Sequence, residues 1–163
     1  MRAPSTSFMM KENLDWEQYT TEDFFAGKRV VFFSLPGAYT PICSSKQLPS
    51  YEENYQNFIN LGIDEVYVIS VNDCCVMSNW LNSLDIKNVK YIPDGSGEFT
   101  RDMDMLVWKP NQNFGYRSWR YAAVVDNMRI EKLFIEEGKN NRGTDDDPYE
   151  VSKPENVLMY LKK

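Results

Sequence analysis

Two strand-length apolar segments constrain the fold of this chain more than any other feature. KRVVFFSL at 28–35 and EVYVISV at 65–71 are continuous β-branched and aromatic runs, without alternating polar residues. This composition is typical of strands that are covered on both faces, as in sheets with parallel strands. The intervening segment 43–60 places apolar residues mostly three and four positions apart, which predicts a helix that ends near Gly62. These segments therefore predict a β-α-β unit.

The rest of the chain continues the alternation of strands and helices. Further strands are predicted over 88–94, 120–126 and 130–137, and further helices over 75–84, 98–107 and the C-terminal segment PENVLMYL. Asp73 is available to cap the helix over 75–84, and Ser152 with Glu155 has the spacing of a capping box for the last helix. The short connection NMR favours a hairpin between 120–126 and 130–137, although it lacks glycine.

The predicted order β-α-β-α-β-α-β-β-α indicates an α/β protein with a central mixed sheet flanked by helices. The thioredoxin-like fold is one of several folds with this order, and the pattern alone does not choose among them. No repeat, low-complexity tract or linker divides the sequence, so we predict a single domain over 1–163.

Composition excludes several classes of partner. The formal net charge of −6 argues against nucleic acid and anionic membranes, because both require a basic patch. No apolar run approaches the roughly 18 residues of a membrane span. The N-terminal segment MRAPSTSFMMKENLD lacks the apolar core of a signal peptide, so a cytoplasmic location is expected.

The chain has no histidine and only three cysteines. The absence of histidine excludes Ser-His and Cys-His hydrolase chemistry and mixed cysteine–histidine zinc sites. Three cysteines cannot complete an all-cysteine zinc site, and their odd number leaves at least one thiol free. We therefore expect no metal or cofactor, and any chemistry must use cysteine, carboxylates, lysine, tyrosine or arginine.

The segment PGAYTPIC at 36–43 places one cysteine where a helix is predicted to begin. Thr40 followed by Pro41 has the pattern of an N-cap and a first helical residue, so Cys43 would lie at about the third helical position. There the helix dipole and free backbone amides would stabilise a thiolate. The Thr40 hydroxyl could donate to the sulfur or to a substrate oxygen, and Pro36 would shield the thiol. Alternatively, Cys43 is a small core side chain, and Thr-Pro is an ordinary helix start.

A thiolate without histidine needs another cation, and FGYRSWRYAAVV at 114–125 contains Arg117 and Arg120. Arg120 opens a predicted strand, so its guanidinium could point to the end of the sheet where Cys43 lies. The alternative is that these arginines face water or pair with carboxylates.

Five motifs carry a resemblance to one protein family. PGAYTPICS, from Pro36 to Ser44, matches P-G-x-[YF]-T-P-x-C-S. The others are SVND at 70–73 with Val76, Met77 and Trp80, DGSGEFTRDMDMLV at 94–107, RSWRYA at 117–122 and DDPYEVSKPENVL at 146–158. On these residues the chain resembles the peroxiredoxins, in particular the peroxiredoxin-5-like (type II) group. The matches span residues 28–160 in the family's order. Asp104 and Trp108 depart from the family's block.

The resemblance implies a thioredoxin-like fold and a thiol peroxidase. Cys43 would be the peroxidatic nucleophile, Thr40 would bind the peroxide, and Pro36 would shield the thiolate. Arg120 would hold the sulfur and the peroxide oxygen together, with Arg117 in a supporting role. A homodimer is also expected from the resemblance, and the substrates would be hydrogen peroxide and organic hydroperoxides.

Some type II members carry a resolving cysteine in the loop that corresponds to 138–152, but here that loop has none. Cys74 and Cys75 are the only internal candidates, and we do not expect either to resolve the sulfenic acid. A one-cysteine cycle completed by glutathione, glutaredoxin or thioredoxin is therefore expected. Two other hypotheses stay open: a binding or chaperone module on the same scaffold, and a disulfide reductase, which would require a C-x-x-C pair that the chain lacks.

Overall fold

A computed structural model describes residues 1–12 and 15–163. Nine strands are present in these residues: β1 Ser7–Glu12, β2 Asp15–Thr20, β3 Arg29–Ser34, β4 Glu65–Ser70, β5 Lys90–Pro93, β6 Leu106–Lys109, β7 Gly115–Ser118, β8 Tyr121–Asp126 and β9 Arg129–Ile135. The α-helices of the same residues are α1 Thr21–Phe25, α2 Leu48–Glu53, α3 Tyr55–Asn60, α4 Cys74–Ser83, α5 Glu98–Asp102 and α6 Pro154–Leu161.

Five strands form the central sheet in the order β5-β4-β3-β8-β9. β3 pairs with β4 in parallel and with β8 antiparallel, so the sheet is mixed, as predicted. β4 and β5 are parallel, and β8 and β9 are antiparallel. Because β3 occupies the middle of the sheet, the chain that leaves its carboxyl end emerges between the start of α4 and the start of β8.

The side chains of β3 alternate between two apolar cores. Val31 and Phe33 face the core that contains residues of α2, α3, α4 and α6, whereas Val30 and Phe32 face the core that contains residues of α1 and α5. All four side chains are fully buried. A continuous apolar run is therefore required here, because a polar residue at any of these positions would lose its contact with water.

The helical segment predicted over 43–60 begins at Pro41 and is interrupted twice. Residues Cys43–Gln47 form one π-helical turn, in which the Leu48 amide donates to the Cys43 carbonyl. At Asn54 the backbone leaves helical geometry and separates α2 from α3. π-helical turns inside helices are frequent at functional sites.

The predicted helix over 98–107 is wrong in its second half. α5 ends at Asp102, and Leu106–Lys109 forms β6, which pairs with β7 in a separate hairpin. Asp104 has φ of +61°, a left-handed conformation that ends the helix and turns the chain. Sequence analysis also missed the β1–β2 hairpin, which precedes the first predicted strand.

The predicted capping box at Ser152 and Glu155 is also wrong. α6 begins at Pro154 after Lys153, and no side chain caps it. The Ser152 hydroxyl instead donates to the buried carboxylate of Glu136 at 2.6 Å. The hydroxyl that would accept a local N–H bond in a capping box therefore donates to a tertiary acceptor. By contrast, Asp73 does cap α4, because it accepts a hydrogen bond from the Val76 amide.

Within residues 1–12 and 15–163, no helix has both the length and the apolar composition needed to cross a membrane.

Candidate active site

Cys43 lies just beyond the carboxyl end of β3, in the π-helical turn, and its side chain is fully buried. It packs within the apolar core on the α2 side of the sheet. Its sulfur nevertheless accepts a hydrogen bond from Nη2 of Arg120 at 3.3 Å. The position thus combines the apolar packing of a core cysteine with direct contact to a cation. It is not a purely hydrocarbon environment.

The guanidinium of Arg120 is 1% exposed and is held along its edges. Its Nε donates to Oε1 of Gln47 at 2.6 Å, and its Nη1 donates to Oδ1 of Asp147 at 2.5 Å and to the Pro148 carbonyl at 2.9 Å. The Tyr149 ring lies 5.7 Å from the guanidinium carbon. These contacts leave Nη2 directed at the sulfur, so the position of the positive charge is fixed before any substrate binds.

The turn before Cys43 is fixed by two side chains. The Thr40 hydroxyl donates to the Gly37 carbonyl at 2.8 Å, and Nη1 of Arg117 donates to the Pro36 carbonyl at 3.1 Å. Arg117 also donates from Nε to the Phe114 carbonyl at 3.1 Å. A Cβ atom at Gly37 would overlap Nη1 of Arg117, so only glycine fits there without displacing the guanidinium.

Arg117 is the second cation near the sulfur. Burial lowers the pKa of the Arg117 guanidinium, and the negative charge of a Cys43 thiolate opposes this shift. Arg117 is thus within electrostatic reach of the sulfur, although its hydrogen bonds go to the Pro36 and Phe114 carbonyls. The structure therefore places all five predicted residues around one turn: Pro36, Thr40, Cys43, Arg117 and Arg120.

The other two cysteines lie at the start of α4. Cys74 is buried, its sulfur accepts a hydrogen bond from the Lys11 amide at 3.3 Å, and burial raises the pKa of its thiol. Cys75 is exposed. All three cysteines are free thiols, so the structure contains no disulfide between any of them.

Comparison with known proteins identifies the family. The family model described as Redoxin matches residues 1–153. The chain is 59% identical over 148 residues to a peroxiredoxin of Rhizobium etli, an alignment that covers 90% of this chain and 82% of the relative. The chain belongs to the peroxiredoxin family. As a peroxiredoxin it is a thiol peroxidase, which reduces a peroxide at the expense of a thiol.

Solved peroxiredoxin structures share its fold. The Plasmodium falciparum antioxidant protein, described as a 1-Cys peroxiredoxin, matches with a TM-score of 0.94 and 38% identity over 99% of this chain and 98% of that chain. Reduced Prx3 of Vibrio vulnificus in complex with hydrogen peroxide matches with a TM-score of 0.88 and 29% identity over 99% and 96%. The thioredoxin-like fold, one of several that the sequence pattern allowed, is therefore the fold of this peroxiredoxin.

Sequence analysis missed the residues that hold Arg120. Gln47 is four residues after Cys43 and fully buried, so a polar residue on the inner face of the predicted helix was the available signal. Asp147 lies in a loop that the sequence marks only as polar and acidic. Its pairing with Arg120 depends on the folded path of that loop. The DPY motif that begins at Asp147 was part of the family resemblance, but the motif does not name the partner.

Glu136 is a third residue near the active site of this peroxiredoxin that sequence analysis did not name. Its carboxylate is 1% exposed and accepts hydrogen bonds from the backbone amides of Glu150, Val151 and Ser152 at 2.7–3.1 Å. It thereby fixes the segment that follows Asp147. Because that segment directly continues the chain from Asp147 and Pro148, the acceptors of Arg120, the carboxylate acts on the active site through the loop.

A cavity of about 170 Å³ adjoins the turn before Cys43. Its lining includes Pro36, Thr40 and Phe114 together with the three consecutive aspartates Asp145–Asp147. Lys109, which also lines it, donates to the Asp146 carbonyl at 2.5 Å. The cavity therefore shares a lining residue with the active site, because Asp147 also binds Arg120, the cation that contacts the sulfur.

Proposed function

We propose that this peroxiredoxin reduces hydrogen peroxide and organic hydroperoxides through a sulfenic acid on Cys43, in a one-cysteine cycle that an external thiol completes. The observation that carries the proposal is the 3.3 Å hydrogen bond from Nη2 of buried Arg120 to Cys43 Sγ. Arginine stays charged at every physiological pH, so it supplies the cation that imidazole supplies elsewhere. Its planar group also has room for a second acceptor beside the sulfur.

In the first step, the Cys43 thiolate attacks one oxygen of the peroxide. An S–O bond forms as the O–O bond breaks, and the departing oxygen takes a proton and leaves as water or an alcohol. The sulfur is oxidised to a sulfenic acid by two electrons, and the peroxide is reduced by the same two. Charge develops on the departing oxygen, and fixed N–H donors aimed at such a charge are usually the largest catalytic contribution.

The surrounding residues have distinct proposed roles. Arg120 holds the sulfur and the attacked oxygen together, and Thr40 binds the peroxide. To bind it, the Thr40 hydroxyl gives up its hydrogen bond to the Gly37 carbonyl and donates to the substrate instead. Pro36, which is buried at the start of the turn before Cys43, shields the thiolate from water. Arg117 supports the turn through the Pro36 carbonyl and adds positive charge.

In the second step, one molecule of thiol attacks the sulfenic sulfur and releases water, and a second thiol reduces the resulting mixed disulfide. The net reaction consumes one peroxide and two thiols and yields a disulfide, water and an alcohol or a second water. Glutathione, with or without glutaredoxin, and thioredoxin are the proposed reductants. Burial of Cys74 under β1 and the description of the Plasmodium falciparum relative as a 1-Cys peroxiredoxin both support an external reductant.

Assembly and location are further parts of the proposal. We propose a single domain over 1–163 that acts in the cytoplasm as a homodimer. Trp108 and Tyr116, exposed at 41% and 55%, pack with their rings tilted by 48° and their centroids 5.0 Å apart on the β6–β7 hairpin. This aromatic surface supports a contact with a second copy. Sedimentation velocity of the parent and of Tyr116→Glu tests it, and a parent that sediments as a monomer contradicts it.

The decisive experiment for the activity compares the parent with Cys43→Ser and with Cys75→Ser as a matched control. Peroxide consumption is measured with glutathione or dithiothreitol, and mass spectrometry follows addition of one equivalent of peroxide. We expect Cys43→Ser to lose activity and Cys75→Ser to keep it. In the parent, one oxygen should appear on Cys43, replaced by a glutathione adduct when glutathione is present. Undiminished peroxide consumption by Cys43→Ser would refute the proposal and favour a binding module.

A further inference from the structure

The entrance to the active site has a particular distribution of charge. The cations are inside: Arg120 is 1% exposed, Lys109 is 5% exposed and Arg117 is partly buried. The aspartates Asp145–Asp147 are on the outside, and all three are exposed. A solute that approaches the cavity from water therefore meets carboxylates first and reaches guanidinium groups only near the sulfur.

The carboxylates of Asp145–Asp147, here called the acidic rim, differ in how closely they pair with positive charges. Asp147 pairs with Arg120 at 2.5 Å. Asp146 accepts hydrogen bonds from uncharged groups, with the Thr144 hydroxyl at 2.9 Å as the nearest. Within residues 1–12 and 15–163, the Asp145 side chain forms no hydrogen bond or ion pair. Two of the three carboxylates are thus free of direct pairing with a cation.

Lys109 reduces this negative charge only in part. Its ammonium group donates to the carbonyl oxygens of Thr144 and Asp146 and lies 5.1 Å from the centre of the Trp119 ring. It forms no ion pair with the carboxylates, although Asp145, Asp146 and Asp147 are all within electrostatic reach of its charge. One unit of positive charge therefore faces the two unpaired negative charges of Asp145 and Asp146. The net charge of −6 on the whole chain adds to the negative potential at the entrance.

We propose that this acidic rim selects uncharged hydroperoxides and slows anionic ones, with Asp145 and Asp146 as the residues that set the preference. The proposal rests on the proposed function, since it concerns the substrate that reaches Cys43. An uncharged hydroperoxide passes the rim without electrostatic cost. A carboxylate-bearing hydroperoxide is repelled before it reaches the arginines, and salt screens this repulsion because the rim is exposed to water.

The test uses two substrates that are identical at the reacting end: 4-hydroperoxy-4-methylpentanoate and its methyl ester. Second-order rate constants for oxidation of the reduced enzyme are measured by stopped-flow tryptophan fluorescence. Trp80 provides the signal, because its Nε1 donates to the hydroxyl of Ser44, the neighbour of Cys43, at 2.9 Å. The parent is compared with Asp145→Asn/Asp146→Asn at low ionic strength and in about 0.5 M salt, where the Debye length falls to a few ångströms.

We expect the ester to react about three to ten times faster than the acid at low ionic strength in the parent. This ratio should approach one in Asp145→Asn/Asp146→Asn and, for the parent, in high salt. The control Asp85→Asn/Asp102→Asn changes the net charge by the same amount at exposed sites outside the cavity lining, and it should keep the parental ratio.

Equal rates for acid and ester in the parent, or an unchanged ratio in the rim variant, would overturn the proposal while the peroxidase function stands. A ratio that falls equally in the control would also overturn it, because net charge and not the rim would then be responsible. Failure of both substrates and of hydrogen peroxide to oxidise Cys43 would instead refute the proposed function itself.

Discussion

Replacing Glu136 by glutamine tests whether a buried carboxylate behind the active site holds Arg120 in place. The carboxylate accepts hydrogen bonds from the amides of Glu150, Val151 and Ser152 and from the Ser152 hydroxyl. Glutamine has the same shape but only one acceptor oxygen. Its amide nitrogen would face backbone N–H groups that are also donors.

The magnitude follows from the geometry. The better orientation of glutamine keeps its oxygen where Oε2 lies, because the bonds from Ser152 are shortest there, at 2.6 and 2.7 Å. The amide of Val151, 3.0 Å from Oε1, then loses its acceptor, whereas the amide of Glu150 keeps its second bond, to Oε2 at 3.1 Å. Hydrogen bonds to a charged group contribute about 1.5–3 kcal/mol each, so this one complete loss lowers the free energy of unfolding by about that amount.

The catalytic consequence should accompany the loss of stability. The loosened segment lies just after Asp147 and Pro148, the two acceptors of Arg120 Nη1, so these acceptors lose the anchor that follows them. Freed from them, the guanidinium would no longer be held against the sulfur. We expect the second-order rate constant with hydrogen peroxide to fall at least tenfold in Glu136→Gln, even at temperatures where the variant stays folded.

The assay combines urea denaturation with stopped-flow oxidation, and the matched control is Glu131→Gln. Glu131 lies on β9, five residues earlier, and its partner Arg29 is one-third exposed, so solvent screening limits that pair to about 1 kcal/mol or less. The control should also keep the parental rate. If Glu136→Gln is destabilised no more than the control, or keeps the parental rate, the reasoning is wrong.

Three other predictions follow from local geometry. Gly37→Ala should lower peroxide turnover about tenfold, because its Cβ displaces the Arg117 guanidinium; an unchanged turnover number would contradict this. The hydrogen bond from its arginine partner lowers the pKa of Glu131, so that pair stabilises the fold above the unfolded pKa of about 4.3 and loses its effect as pH falls through the lower folded value. The difference in unfolding free energy between parent and Glu131→Gln should therefore shrink as acid is added, and a constant difference would refute it. Iodoacetamide should modify exposed Cys75 before buried Cys74, as peptide mapping would show, and the reverse order would count against the structure.

The prediction of the fold succeeded where the sequence pattern is local and strong. The buried strands over 28–35 and 65–71 and the capped helix after Asp73 are present as predicted. The helix over 98–107 was wrong in its second half because a left-handed residue at Asp104 interrupts a pattern that otherwise continues. The strand that follows is stabilised by pairing with β7, which helical periodicity does not reveal.

The site was predicted in part. The motif and the resemblance named Cys43 and Arg120. The predicted order of strands was enough to place the end of the strand before Cys43 near the start of the strand that Arg120 opens. The roles of these residues remain proposals. Gln47, Asp147 and Glu136 were not named, because each acts through a partner far away in sequence. Arg120 and Asp147 are 27 residues apart, and Arg120 and Gln47 are 73.

By itself, the sequence determined which segments must be buried, that histidine takes no part in the chemistry, and that a cysteine lies at the start of a helix. Backbone propensity and apolar periodicity are local, so short stretches of chain are enough to express them. Only the tertiary structure decided how the buried guanidinium is oriented and which loop supplies its acceptors. A hydrogen bond requires a separation of about 3 Å, held to a few tenths of an ångström, between groups that the whole fold brings together. No local pattern contains such distances.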